Sequence, residues 1–286
     1  DNDYGNGMPK RLQIWKESSK NFNVTDATVT MDGNNAVVNV NYLLPAGNLY
    51  IVNYTIYPSG AVNVAARFTS TDMETEVSES TRTATFTPGR DAARKEASKL
   101  NVPRIGVRFR LPASMNQVEY FGRGPAENYL DRNAGSMVGL YKSTAEELYF
   151  PYVRPQENGH HTDTRWVSLS TGKKGLLIQA DNTIGFNALR NSIEDFDDEE
   201  ATGLSRQWSN FTPEQVANHD EAAAKNVLRR QHHINDITPR DFVEVCVDLK
   251  QQGVAGYDSW GSRPEPAYTL PANREYNWGF TLIPLK

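Results

Sequence analysis

The sequence lacks several features that mark common protein classes. Its 286 residues include one cysteine, so no internal disulfide can form. No apolar run approaches the roughly 18 residues that cross a bilayer as a helix, so we expect no membrane partner. With 30 basic and 35 acidic residues the net charge is -5, which argues against a nucleic-acid partner. There is also no phosphate-binding Gly-Lys loop, nucleotide-binding glycine fingerprint or nucleophile elbow.

Cys246 is best explained by packing. It lies in the alternating segment Phe242–Val247, where a small buried apolar side chain suits the pattern. A catalytic thiol needs a nearby imidazole and partial exposure, and no neighbour in the sequence supplies an imidazole. A chain without disulfides is tolerated in cytoplasm and periplasm alike, so the compartment stays open between these two.

The chain is rich in segments of period two, which is typical of half-buried β-strands. Turn residues lie between several of them, and the short spacing predicts antiparallel neighbours. We therefore expect an all-β antiparallel sandwich with a few short helices. The predicted strands are 36–42, 49–57, 61–68, 75–86, 105–111, 117–121, 165–170, 175–181, 242–249 and 276–283.

Helical patterns are few. Thr212 followed by Pro213 resembles an N-cap with proline at the first helical position, which predicts a helix over 213–216. Further short helical segments are predicted over 220–230 and 144–148. The polar segment 90–99 is interpreted as a loop insertion. Without a repeat or a clear boundary, we expect residues 1–286 to form a single domain.

A loop rich in polar residues, 122–132, follows a predicted strand. Glu127 or Asp131 could serve as a catalytic carboxylate. Glycoside hydrolysis needs a second carboxyl group across a cleft, and the spacing identifies none. We therefore favour a structural role, in which these side chains satisfy backbone groups within the loop.

His160 and His161 are adjacent, at the end of the segment 151–161. Successive side chains of a strand point to opposite faces, which is a poor geometry for binding one metal ion jointly. A structural role is again favoured, and we predict no metal or other cofactor in this chain.

The glycine-rich segment 253–261 follows a predicted strand and contains Trp260. A tryptophan face stacks on the apolar face of a sugar ring, and acids such as Asp258 accept hydrogen bonds from hydroxyls. Alternatively, Trp260 could fill the end of a sandwich core, because large aromatic side chains are mostly buried. The residues alone do not separate these two interpretations. The segment 1–7 is similarly open, as a mobile loop or a frayed end.

Four segments taken together resemble a known family. The residues 1–5, 119–132, 152–159 and 253–260 are similar, in this order, to motifs in the C-terminal, small-chain domain of family 2 glycoside hydrolase β-galactosidases. The resemblance extends from one end of the chain to the other. It implies a large antiparallel β-supersandwich of the galactose mutarotase type.

The resemblance also implies a parent enzyme, a retaining β-galactosidase of five domains. Its catalytic glutamates and magnesium ligands would lie in a TIM-barrel domain that is absent from this chain, so the chain alone should not hydrolyse lactose or other galactosides. The expected partners are galactosides, the remaining domains and other copies of the full-length enzyme. Because the family's domain begins some strands earlier, the resemblance also predicts a domain truncated at its N-terminus.

The site residues implied by the resemblance line one wall of the active-site cleft. Trp260 matches an aromatic platform for the aglycone sugar, with Asp258 beside it, and Gly5 matches a mobile loop. Ala255 and Tyr257 replace a glycine and an acid that the family usually has, which puts the path of this loop in question. The alternative function is a free-standing sugar-binding or mutarotase-like module, in which His160, His161 and Glu157 would act on the sugar.

Overall fold

A computed structural model describes Asp3 and residues 6–69, 101–196, 234–258 and 261–286, apart from the side chains of Lys10 and Glu17. In these ranges two short helices precede a series of β-strands. The helices are α1 (Met8–Arg11) and α2 (Gln13–Ser18). The strands are β1 (Asn23–Asp32), β2 (Asn35–Leu43), β3 (Leu49–Ile56), β4 (Val62–Phe68), β5 (Arg104–Pro112), β6 (Gln117–Gly124), β7 (Met137–Thr144), β8 (His161–Ser170), β9 (Gly175–Leu189), β10 (Phe242–Gln251) and β11 (Tyr276–Leu285).

The strands form one antiparallel sheet in the order β1-β2-β3-β4-β11-β9-β8-β6-β7, with β10 joined to β9 and β5 joined to β10. The long strand β9 makes this branching possible. Its first half pairs with β11, from Gly175 to Ala180, and its second half pairs with β10, from Gly185 to Leu189. The predicted all-β antiparallel fold is therefore confirmed.

The main core lies between two branches of the sheet. One branch joins the first half of β9 through β11, and the other joins its second half through β10. Val52 and Phe280 come from one branch, Val243 and Val245 from the other, and Ile178 from β9 itself; each is at most 1% exposed. Cys246 lies on β10 and is buried, and burial raises the pKa of its thiol to about 12. A buried thiol held protonated agrees with the packing role predicted for it.

A second, smaller core fixes the N-terminal helices to the sheet. Trp15 of α2 packs against Phe68 at the end of β4, with ring centroids 6.0 Å apart. Leu270 and Ala272, in the segment before β11, complete this cluster. Residues near the N-terminus are thereby brought to the end of the sheet where β4 ends and β11 begins.

Most strands occur where the period-two pattern predicted them, and the exceptions are instructive. Strands β1 and β7 were not predicted, and β9 extends well beyond residue 181. The helix predicted over 144–148 is wrong, because Thr144 ends β7 and residues 145–148 form a single turn. The Thr144 hydroxyl accepts the Glu147 N–H, as in a helix cap, but the Phe150 N–H bonds to Asn158 and Pro151 has no N–H.

Other predicted elements lie outside the described residues. These are the strand 75–86, the insertion 90–99 and the helices over 213–216 and 220–230. None of the helices in the part of the chain that the structure describes is long and apolar enough to cross a membrane.

Candidate functional site

Loops from four distant parts of the sequence meet at one end of the fold, and we call them the loop cluster. Three of the four motif segments singled out in the sequence contribute to it, and residues 6–12 directly follow the fourth. Within the described residues, the cluster consists of residues 6–12, the loop 125–136 after β6, the loop 151–160 before β8, and residues 252–258 and 261–263 of the loop 252–263 after β10. Hydrogen bonds join them in pairs: Asn6 to Ser262, Asp131 to Val254, and Glu127 to Gly159.

Glu127 is a buried carboxylate at the centre of this network, with a side chain only 6% exposed. One oxygen accepts the Gly159 N–H at 2.7 Å and the Tyr129 hydroxyl at 3.1 Å. The other accepts the Tyr152 hydroxyl and faces Arg132 at 3.4 Å. Because both oxygens bind protein groups, Glu127 connects two loops, in agreement with the structural role predicted for it.

Burial also sets the ionisation of the two tyrosines on Glu127. It raises the pKa of Tyr129, and the negative charge of Glu127 raises it further. The pKa of Tyr152 is raised in the same way, first by burial and then by its hydrogen bond to Glu127. Both hydroxyls therefore stay protonated and act as hydrogen-bond donors to the carboxylate.

His160 and His161 are each 1% exposed and have separate partners. The Nδ1 atom of His160 lies 2.8 Å from the Asn187 side-chain oxygen, and its ring stacks on Tyr129. The ring nitrogens of His161 lie 3.1 Å and 3.2 Å from the carbonyl oxygens of Gly159 and Pro125. The two rings thus point to different surroundings, as expected for neighbouring residues of an extended chain.

The described residues contain no cluster typical of a protein metal site. No group of three or more His, Cys, Asp or Glu residues within the described ranges could hold a metal ion. The prediction that the chain holds no cofactor stays a prediction.

Arg104 connects the loop 151–160 to the sheet. Its guanidinium pairs with Glu157 in the loop, with Asp248 of β10 at 2.5 Å, and with the Asn187 oxygen at 2.6 Å. Burial lowers the pKa of Arg104, but the surrounding negative groups, Asp248 foremost and Glu157 with it, together outweigh this effect and raise the pKa well above its usual range. The sequence offered no signal for this network, because its members come from four separate segments.

The loop 252–263 after β10 is held at both of its ends. At the start, the Asp131 carboxylate accepts the N–H groups of Val254 and Ala255 at 3.0 Å and 2.7 Å. Further along, the Gly256 N–H bonds to the Ser262 hydroxyl at 2.9 Å, and the Ser262 N–H bonds to Asp258 at 3.2 Å. Asp258 therefore accepts a hydrogen bond that closes its own loop.

The replacement of a glycine by Ala255 is accommodated in the backbone of this loop. Ala255 has φ +51° and Gly256 has φ +83°, both in the left-handed region that favours glycine. An alanine in this region costs roughly 1–2 kcal/mol relative to its preferred conformations. Tyr257, in place of an acid, is 68% exposed and bonds to the Arg263 carbonyl oxygen.

The three predicted sugar-binding residues have different outcomes. Asp258 lies in the loop cluster, as described above. Trp260 and Gly5 lie outside the described residues. Asn6, which follows Gly5, is described, and its side-chain amide donates a hydrogen bond to the carbonyl oxygen of Ser262 at 3.3 Å. Residues that directly follow or lie close to the predicted segments 1–5 and 253–260 are thus in contact.

The fold and the loop cluster define an all-β antiparallel domain with a polar end built from its loops. The chain belongs to the family described as beta galactosidase small chain, whose model matches residues 1–282.

Curated relatives match the whole chain. A β-galactosidase of Priestia megaterium is 30% identical over 288 residues, one of Lactobacillus delbrueckii subsp. bulgaricus is 27% identical over 289, and one of Streptococcus thermophilus is 25% identical over 289. Each alignment covers 100% of this chain but only 22–23% of the relative. The chain therefore spans less than a quarter of the length of these relatives.

Proposed function

We propose that this chain is the C-terminal domain of a retaining β-galactosidase and completes the sugar-binding cleft of that enzyme. The proposal depends above all on one observation: the whole chain is similar to β-galactosidases, yet covers less than a quarter of their length. Retaining hydrolysis requires two carboxyl groups about 5–5.5 Å apart on either side of the glycosidic bond. Glu127 and Asp131 are instead engaged with loop groups, so we place the catalytic acids in another domain.

The contribution of this domain is recognition of the sugar. Trp260 provides a stacking surface for the aglycone sugar, Asp258 accepts hydrogen bonds from its hydroxyls, and the segment around Gly5 closes over the site. The contact between Asn6 and Ser262 supports this arrangement, because it holds the residue after Gly5 against the loop that carries Asp258. The ligands are galactosides such as lactose.

The other domains of the same enzyme are the proposed protein partners, together with further copies of the full-length protein. Two exposed apolar side chains three residues apart support a contact with another domain. Val153, in the loop 151–160, is 78% exposed, and Phe150, directly before this loop, is 47% exposed. A contiguous exposed apolar patch is typical of a surface that another protein segment covers.

No observation favours the alternative of a mutarotase-like module. That function needs a general acid and a general base in contact with the sugar. His160 and His161 are buried to 1% exposure, and burial lowers the pKa of both. Glu157 is paired with Arg104. Polarimetry with α-galactose is the direct measurement, and we expect no acceleration of mutarotation by this chain.

The main test is complementation. We expect the 286-residue chain alone to give no turnover of a chromogenic galactoside, because the catalytic carboxyl groups lie in another domain. Mixing it with the remainder of the enzyme should restore turnover, whereas the remainder alone should be inactive or severely impaired. Full activity of the isolated chain would contradict the proposal.

A second test concerns Trp260 in the full-length enzyme. Trp260→Ala should weaken binding of a sugar acceptor such as glucose by roughly 1–3 kcal/mol, the scale of burying one large side chain. Tyr57→Ala is the matched control, since Tyr57 is an exposed aromatic residue that follows β3, at the opposite end of the sheet from Phe68 and Trp15. Equal acceptor binding by Trp260→Ala and the parent enzyme counts against the role of Trp260.

A further inference from the structure

Asp131 is held rigidly at the tip of a tight turn in the loop 125–136. The turn is closed by reciprocal backbone hydrogen bonds between Tyr129 and Arg132, at 3.3 Å and 2.8 Å. One residue further back, the Asn128 N–H bonds to the His160 carbonyl oxygen at 2.7 Å. The position of the Asp131 carboxylate is therefore set by the body of the fold.

The Asp131 carboxylate also contacts the start of the loop 252–263. Its two oxygens accept the consecutive N–H groups of Val254 and Ala255, which are 123 and 124 residues away in the sequence. Hydrogen bonds to a charged acceptor are about twice as strong as those between neutral groups. Asp131 thus fixes two successive peptide units of the loop rather than a single atom.

Gly253 makes the close approach possible. A Cβ atom at this position would lie 2.5 Å from an Asp131 carboxylate oxygen, which is far inside normal contact distance. The loop backbone therefore passes directly against the carboxylate, and any larger residue at position 253 would displace one of the two. This gives a second, independent way to alter the contact without changing Asp131.

We propose that Asp131 is a positioning residue for sugar recognition: its carboxylate fixes the backbone of 253–256, and through it the direction in which the loop presents Asp258 to an acceptor sugar. The inference rests on the function proposed above for this loop. Asp131 does not itself touch the sugar. Its removal should therefore affect binding of the acceptor more than the chemistry of the galactosyl group.

The experiment uses the full-length enzyme that carries this chain, with glucose as the acceptor and an activated aryl galactoside as the donor. Asp131→Asn keeps the size of the side chain but removes the charge and one of the two acceptor oxygens. We expect it to weaken glucose binding about tenfold, while kcat for the aryl galactoside stays within about twofold. Asp26→Asn, on the exposed strand β1, is the matched control and should change neither quantity.

The double variant separates positioning from general damage. If Asp131 acts through the loop that presents Asp258, Asp131→Asn combined with Asp258→Ala should bind glucose within about twofold of Asp258→Ala alone. If Asp131→Asn does not fold, Gly253→Ala tests the same contact and should likewise weaken glucose binding with little change in kcat. Unchanged glucose binding, or an equal loss of kcat and glucose binding, would overturn the role of Asp131.

The two proposals fail in distinguishable ways. If Trp260→Ala leaves glucose binding unchanged, the function proposed for the loop is wrong. If Trp260→Ala weakens glucose binding but Asp131→Asn and Gly253→Ala do not, only the positioning role is wrong.

Discussion

His160 is an ionisable residue that the fold keeps neutral. Burial, aided by the positive charge of Arg104, lowers the pKa of His160 from 6.5 to about 3. The unfolded chain therefore binds one more proton at this residue than the folded chain between these two pH values. The resulting contribution to stability is complete above pH 6.5 and is lost as the pH falls towards 3.

This difference predicts a measurable pH dependence. Each pH unit below 6.5 should lower the free energy of unfolding by about 1.4 kcal/mol through His160, or about 2 kcal/mol at pH 5. Urea unfolding of the 286-residue chain at pH 7 and pH 5 measures it. His160→Gln should reduce the difference between the two pH values without abolishing it, because burial also lowers the pKa of His161. A variant with the same pH dependence as the parent chain would contradict this account.

The roles of single residues could be predicted only in part from the sequence. The favoured structural role of Glu127 agrees with its contacts, but its partners, Tyr152 and Gly159, became visible only in the fold. The partners of Arg104 were not predicted either. A strand brings residues from different segments side by side, and the spacing within one segment does not show which ones will meet.

At the scale of elements, the period-two pattern works where one face of a strand is buried and the other is open. The strand β1 was not predicted, although its residues Ala27, Val29 and Met31 alternate with polar residues in the sequence; in the fold all ten residues of this strand are exposed. The pattern itself fails in the second half of β9, where residues 184–189 are all buried and the alternation disappears. This failure has a physical cause, because alternation reports a difference between two faces.

The basic stretch of β5 shows how neighbouring elements change the meaning of a pattern. Arg108 and Arg110 both pair with Glu244 on the adjacent strand β10, at 3.3 Å and 3.0 Å, and Glu244 is 3% exposed. Positive charges that could resemble a surface patch are thus paired with a buried carboxylate, although the two arginine side chains are themselves 37% and 53% exposed. The absence of a nucleic-acid partner, expected from the net charge of -5, stays a prediction.

For the whole molecule, the sequence identified the segments of the candidate site but not their arrangement. The motif segments are separated by long stretches of chain, and their meeting depends on which strands pair. The second core, where Trp15 packs on Phe68, brings residues 6–12 to the same end as the loop after β10. Such contacts join residues up to 256 positions apart, as Asn6 and Ser262 are, which a local pattern does not encode.

The convergence of these loops predicts where a bound sugar changes the dynamics of the molecule. In the full-length enzyme, a saturating non-hydrolysable galactoside should slow amide hydrogen exchange in the loops 125–136, 151–160 and 252–258, because a ligand that binds the closed arrangement stabilises the contacts between them. The hairpin of β1 and β2, which is joined to the rest of the sheet through β3, is the internal control and should exchange at an unchanged rate.

Two results would contradict this expectation. Equal slowing in the hairpin and in the loops would mean that the sugar stabilises the whole domain and does not act on the loop cluster in particular. Slowing in the hairpin alone would place the sugar contact at the other side of the sheet. Slowing of exchange confined to the loops would instead link sugar binding to the hydrogen bonds that Glu127 and Asp131 accept, which hold these loops to one another.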